Sequence, residues 1–331
     1  MLFPLLALTT ALAAQTPPSP APPAPPELSV KIDRSTRLLV VAPHPDDETL
    51  GAAGLIQRVR TAGGAVRVLM MTSGDGFPEG VERAEGIAHP RASDFRNYGQ
   101  ARERETVGAM ALLGLGPAQV TFLGFPDEGL CHLASTYLFD KTRAYQSPYS
   151  NRSSPPPTER LIRGATYRGI DVRREIENVI TGFAPDLVVL PFSGDDHPDH
   201  CATHTFVHEA FEAVPASLTR RLRVLHYVVH LDQWPLADGV GARVSPPAGF
   251  SADYGRVVSL TLTVDEVAAK KRALLAYVTQ MEVIGRFMMA FGRENELFVE
   301  GEPKEALSCW CDDGEDAAPP RRPAPPPRPR P

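Results

Sequence analysis

Short apolar runs alternate with amphipathic stretches through most of the chain. Leu38-Leu39-Val40-Val41 is continuous and apolar and ends at Ala42-Pro43, which predicts a buried strand. Thr49 to Ala62 then carries Leu50, Ala53, Ile56 and Val59 with Arg58 and Arg60 off that face, and Gly63-Gly64 ends the predicted helix. Val66–Met71, Val120–Leu123, Leu187–Leu190 and Leu222–Val229 repeat the strand pattern. Ala101–Leu113, Ile170–Phe183, Thr203–Ala213 and Val264–Tyr277 read as helices. The alternation predicts an α/β fold, with a mostly parallel sheet and helices on both faces. Leu130–Arg168 and Pro235–Tyr254 show neither period and read as long loops, the first as a lid or substrate loop.

Two of the predicted strands end in chemistry. Ala42-Pro43-His44-Pro45-Asp46-Asp47-Glu48 follows the first, and Asp195-Asp196-His197-Pro198-Asp199-His200 follows the Leu187 run. Open α/β sheets place ligands at the carboxyl ends of their strands. Two strand ends that each deliver His and Asp predict the halves of one metal site. A catalytic zinc takes three nitrogen or oxygen ligands and keeps a position open. His44 and Asp47 are spaced to reach one ion across a turn, and His200 is the best third ligand. Asp46 diverges from its neighbour and is placed to act as a base on water and to pass the proton to a leaving amine. His197 is a donor to a developing oxyanion, and Asp199 the carboxylate that would orient it. One His-Pro-Asp turn alone reads equally well as a capped loop, with Asp47 or Thr49 as N-cap. Two such turns, each behind a buried strand, favour the site. His204 and His208 continue at helical spacing from His200 and read as helix-flank residues; His226 and His230 lie in and at the end of a predicted strand, and His230 reads as a satisfied surface histidine or as a residue approaching the mouth of the site.

Composition narrows the partners. The formal net charge of −6 gives a nucleic-acid partner no electrostatic support. Leu2–Ala14 is apolar with a small-x-small end at Ala11-Leu12-Ala13, so residues 1–14 read as a signal peptide and the protein as exported: periplasmic, envelope-associated or secreted. Residues 15–30 read as a Pro-rich linker, 31–306 as the folded domain and 307–331 as a disordered Pro/Arg-rich tail. No other segment is apolar and long enough to span a bilayer. Cys131, Cys201, Cys309 and Cys311 match no zinc motif, and an even count permits disulfides outside the cytosol in any of three pairings.

Taken with Leu50-Gly51, the two His-Asp motifs resemble those of the PIG-L/LmbE-like deacetylases. That family holds N-acetylglucosaminyl-phosphatidylinositol de-N-acetylases and bacterial deacetylases of mycothiol and bacillithiol biosynthesis. Thr72-Ser73-Gly74-Asp75, Arg102 with Glu105, Leu123-Gly124-Phe125-Pro126-Asp127, and Lys270 through Tyr277 to Gln280 resemble its supporting motifs in order. The resemblance covers about Arg37 to Phe291. It implies a Rossmann-like fold and one Zn2+ per chain, with His44, Asp47 and His200 as ligands. It also implies Asp46 as general base, His197 as electrophilic or general-acid partner, and Arg102 and Asp127 as substrate-binding or positioning residues. Fe2+ or Mn2+ suits the same donors. The expected activity is hydrolysis of an N-acetyl or other N-acyl group from an amino-sugar substrate. Alternatives are an amidase for acylated peptides or thiol conjugates, and a non-catalytic glycan-binding module. The insert tyrosines Tyr137, Tyr145, Tyr149 and Tyr167 suit either sugar stacking or the core of a lid.

Overall fold

A computed structural model describes residues 24–138, 140, 142–236, 241–247, 250 and 255–301. The signal-like segment, most of the Pro-rich linker, the tail and Cys309 and Cys311 lie outside these. In chain order the elements are β1 (Arg37–Ala42), α1 (Asp47–Thr61), β2 (Ala65–Thr72), α2 (Pro78–Glu85), α3 (Ala92–Leu112), β3 (Val120–Phe125), α4 (Leu130–Ala134) and α5 (Gly169–Phe183). There follow β4 (Leu187–Pro191), α6 (Pro198–Ala213), α7 (Ala216–Thr219), β5 (Arg223–Tyr227), β6 (Arg256–Thr261), α8 (Val264–Leu274), α9 (Val278–Met289) and β7 (Asn295–Glu300).

The strands form one sheet in the order β3-β2-β1-β4-β5-β7-β6. The first five are parallel, and β7 pairs antiparallel with both β5 and β6. Strands buried on both faces explain the unbroken apolar runs. Along β1, Leu38, Val40 and Ala42 face one core with Leu55, Ile56 and Val59 of α1 and Ala273 and Leu274 of α8. Leu39 and Val41 face the other, with Ile176 and Ile180 of α5 and Phe206 and Val207 of α6. The period-2 alternation of a strand thus divides one run of sequence between two layers of helices.

The sheet differs from the sequence expectation at its late edge. β6, α9 and β7 were not predicted: β6 directly follows the unpatterned Pro235–Tyr254 stretch, and β7 mixes Glu296 and Glu300 into a short apolar strand. The predicted linker also ends early. Pro26 and Leu28 pair with Ser259 of β6 (Ser259 N–H to Pro26 O 2.8 Å, Leu28 N–H to Ser259 O 2.8 Å), and Leu28 is buried. The folded edge therefore begins before residue 31.

The insert after β3 is held by its tyrosines. Tyr167 is buried and donates to Gly124 O at 3.0 Å, Tyr145 stacks on His132 with centroids 5.3 Å apart, and Tyr149 lies 5.3 Å from Phe95. These rings pack on protein. Beside them Glu159 is pushed up to about 8 by burial, with Glu103 adding repulsion. Its folded-state pKa exceeds the unfolded value, so its contribution is fully present below about pH 4.5 and is lost as pH rises through 8. Glu159→Gln should flatten that decline by roughly 1–3 kcal/mol in denaturant melts between pH 5 and 9. Parallel pH profiles for variant and wild type would refute the assignment.

Candidate active site

The strand order reverses between β1, which leads to β2 on one side, and β4, which leads to β5 on the other. Val40 and Val189 are in register. The β1–α1 and β4–α6 loops therefore splay apart over one crevice, as at the switch point of any open parallel sheet. His44, Asp46 and Asp47 come from the first loop and α1; His197 caps α6, and Asp199 and His200 lie in its first turn.

One donor atom each from His44, Asp47 and His200 lies within 4.8 Å of the others. His44 Nδ1 and His200 Nε2 both stand 3.2 Å from Asp47 Oδ2. The opposite nitrogen of each ring faces a second carboxylate: His44 Nε2 is 3.0 Å from Asp127 Oδ1, and His200 Nδ1 is 3.2 Å from Asp195 Oδ2. Carboxylates behind ligating imidazoles fix tautomer and orientation. Asp127, expected at substrate hydroxyls or as a positioner, is 4 % exposed and also accepts from Gly76 N–H at 2.6 Å. Asp195 received no role from sequence reasoning. Besides His200 it accepts from the backbone of His197, Val229 and His230, which ties the β4–α6 loop to the end of β5. Its position two residues before His197 was the available signal.

The α1 terminus settles the capped-loop alternative. No side chain caps α1. Asp47 Oδ2 accepts from His44 N–H at 2.9 Å, which folds the turn and brings ring and carboxylate together. Asp46 occupies the junction with φ 121° and ψ −31°, a backbone conformation that costs energy in an L-residue. Its Oδ2 lies 3.4 Å from Arg102 Nη2.

Arg102 is 4 % exposed and donates to Gly74 O and Pro45 O, each at 2.8 Å. Gln280, with its amide oxygen toward the guanidinium, accepts from Nη2 at 2.7 Å and from Nε at 2.8 Å. Glu105, one turn along α3, accepts from Thr279 N–H and Oγ1 at 3.0 and 2.7 Å. Arg102 and Glu105 thus do not form a solvated intrahelical pair. They dock α3 onto α9 and aim one guanidinium nitrogen at Asp46. Glu48 closes the other side, accepting from Asp46 N–H at 3.1 Å and from the Tyr277 hydroxyl.

His197 differs from its expected arrangement. Its Nδ1 accepts from Asp199 N–H at 3.2 Å, which caps α6 and leaves the ring proton on Nε2. Nε2 faces Glu128 Oε1 at 3.3 Å. The Asp199 carboxylate accepts instead from Glu128 N–H and Leu130 N–H at 2.8 and 2.9 Å and lies 3.4 Å from His44 Nε2. Asp199 stays within 4.8 Å of the ring, but the carboxylate that Nε2 faces is that of Glu128. No pattern marks it in sequence; its φ of 58° places it there.

Charge shows what the site can hold. Asp46, Asp47, Asp127, Asp195 and Asp199 are all buried, and among the described residues Arg102 is the guanidinium set against them. Burial pushes Asp46 well above its ordinary value, with Asp47 and Glu48 adding to it and Arg102 opposing. Burial would lower His200, yet Asp195 and Asp47 push it up to about 10. Both His200 ring nitrogens are buried, and neither makes a hydrogen bond of normal geometry although each faces a carboxylate oxygen. A surplus of buried anions around three convergent donors fits a divalent cation. Asp195→Asn should weaken metal binding by roughly 10–100-fold. Chelator competition at fixed pH reads this directly, and an unchanged affinity would remove Asp195 from the site.

A model of the PIG-L family, described as GlcNAc-PI de-N-acetylase, matches residues 39–211. The chain belongs to the PIG-L family. It is 32% identical over 273 residues to the 1D-myo-inositol 2-acetamido-2-deoxy-alpha-D-glucopyranoside deacetylase of Tsukamurella paurometabola, covering 75% of this chain and 84% of that one. It is 30% identical over 266 residues to the protein of the same name from Nocardia farcinica, covering 74% and 80%. Among solved structures, the A40926 pseudoaglycone deacetylase shares its fold at 19% identity and a TM-score of 0.52, over 83% of this chain and 100% of that one. This PIG-L protein is a hydrolytic N-deacetylase.

Proposed function

We propose that this PIG-L protein removes an acetyl group from the nitrogen of an amino-sugar substrate, using one zinc ion held by His44, Asp47 and His200. The observation that carries the reading is the convergence of those three donors within 4.8 Å, beside a buried Asp46 that ligates nothing in the same triad. The amino-sugar substrate is supported by the names of the relatives, which act on an acetamido-deoxy-glucopyranoside. An ion bound there supplies Lewis acidity, which lowers the pKa of water to about 7 and polarises an amide carbonyl. Asp46 takes the proton of the attacking water and delivers it to the departing amine. Arg102 holds the Asp46 carboxylate in place, and Glu48 fixes the backbone of the turn that carries it. Asp199 N–H on Nδ1 holds the His197 ring, and the Nε2 proton that faces Glu128 without substrate turns to the carbonyl oxygen as negative charge develops. Asp127 and Asp195 keep the two ligand imidazoles in register.

The test is metal content with product analysis. The purified protein should hold zinc and release acetate from N-acetylglucosamine derivatives in preference to acylated peptides or thiol conjugates. Faster turnover of an acylated peptide would replace the substrate class. Glycan affinity without acetate release would replace catalysis with binding.

We also propose export. Leu2–Ala14 with its Ala11-Leu12-Ala13 end supports it, as do Cys131 and Cys201, both disulfide-bonded. Intact mass of the protein expressed with its own amino terminus decides this; an uncleaved cytosolic product would refute it.

A further inference from the structure

A second histidine cluster lies further along α6 and shares no residue with the site above. His204 and His208 are one turn apart on α6, and His226 lies on β5, opposite Leu190 of β4 and Val299 of β7. One ring nitrogen from each of the three lies within 4.8 Å of the others. Ring centroids are 4.3 Å apart for His204–His208, 5.0 Å for His204–His226 and 5.9 Å for His208–His226. His226 is 1 % and His204 8 % exposed, while His208 is half-buried. Helical rise puts His204 about 6 Å and His208 about 12 Å along the axis from His200.

Two further contacts point to a ligand. His204 Nδ1 is 3.2 Å from Pro191 O, and His226 Nδ1 is 3.3 Å from Val299 O. A carbonyl oxygen only accepts, so both rings carry their proton on Nδ1 and hold the lone pair on Nε2. Ligating imidazoles characteristically donate their other N–H to a backbone carbonyl or carboxylate. Two strands, β4 and β7, thus set two rings in the tautomer that metal ligation needs, and α6 brings the third at i,i+4 spacing.

We infer that His204, His208 and His226 bind a second divalent ion of the late transition series. All-imidazole donors suit zinc, copper, nickel or cobalt and exclude magnesium and calcium, which need oxygen ligands. A tetrahedral ion with bonds near 2.0–2.1 Å wants its nitrogens roughly 3.3 Å apart, so the three rings, whose nitrogens lie within 4.8 Å, would draw closer around it. Water would complete the coordination from the half-buried His208 side. Bound there, the ion would clamp α6, whose amino end carries His197 and His200, onto β5.

The experiment counts zinc per chain by elemental analysis after dialysis against buffered zinc, in the wild type, His208→Asn, His208→Gln and His44→Ala, with circular dichroism checking each fold. The wild type should carry about two equivalents. Both His208 variants should carry one and keep acetate release, and His44→Ala should carry one and lose it. Cobalt loaded into His44→Ala should give the visible bands of a low-coordinate site, absent once His208 is also replaced. A wild type with a single equivalent that the His208 variants retain overturns the inference, and so do two equivalents that survive in both His208 variants. A single equivalent lost with His208 but kept in His44→Ala would uphold this cluster and overturn the assignment of His44, Asp47 and His200 instead.

Discussion

Asp46→Asn should lower kcat for acetate release by about 1,000-fold while leaving bound metal unchanged, because a positioned general base contributes on the order of 10²–10⁴. Asn is the informative replacement. It keeps the size of the side chain and tolerates positive φ better than most residues, so the strained turn at φ 121° survives. The amide cannot take a proton, whereas the Arg102 contact needs only an acceptor oxygen. KM should move little, since Asp46 is assigned to proton transfer and not to holding the ground state. A variant with wild-type kcat, or one that loses its metal along with its activity, would remove Asp46 from the role of base. Arg102→Lys offers the graded companion: it keeps the charge and loses the fork that reaches Gly74, Pro45 and Asp46 together.

Glu296→Ala should cost about 3–5 kcal/mol in denaturant unfolding, the usual penalty for leaving one member of a buried ion pair behind. Lys270 Nζ and Glu296 Oε1 are 2.8 Å apart, and each side chain is 1 % exposed. Glu296 also accepts from Gly54 N–H at 2.7 Å and Leu55 N–H at 3.2 Å, and Lys270 donates to Leu50 O at 2.8 Å. The pair therefore replaces part of the hydrogen bonding of α1, the helix that presents Asp47. Gly54 makes the approach possible: a Cβ there would sit 2.2 Å from Leu262 and 3.1 Å from Glu296 Oε2. Glu296→Gln should lose less, and a paired Lys270→Met, Glu296→Leu variant should regain most of the deficit by removing both charges. A loss below about 1 kcal/mol in Glu296→Ala would show that the ammonium finds water and that the pair is not sealed.

Much of the site was legible in sequence because its central groups are local. His44, Asp46 and Asp47 occupy one turn, His197 to His200 another, and both turns follow apolar runs that announce buried parallel strands. What escaped was whatever depends on distant backbone. Glu128 reaches His197 through a positive-φ turn, and Gln280, marked only as part of a resembling motif, reaches Arg102 from α9, a helix that was not predicted. Asp199 was given to His197 on adjacency alone; its carboxylate does lie within 4.8 Å of a His197 nitrogen, but its hydrogen bonds go to the Glu128 and Leu130 amides. β6 and β7 were missed for a related reason. β6 is the edge strand and mixes polar with apolar residues, while β7 is interior but begins with the buried Asn295 and Glu296, and both pair antiparallel outside any βαβ unit.

The order in which the chain leaves the ribosome acquires weight from β7. Every ligand proposed for the active-site ion has emerged by residue 200, but the carboxylate that holds α1 comes from Glu296, the hydroxyl on Glu48 from Tyr277 and the amide on Arg102 from Gln280. A nascent chain halted after α6 would display His44, Asp47 and His200 with none of these braces. Metal capture by such an intermediate would be premature and loosely shaped, and the enzyme's competence is settled only when its last strand slides in beside β5.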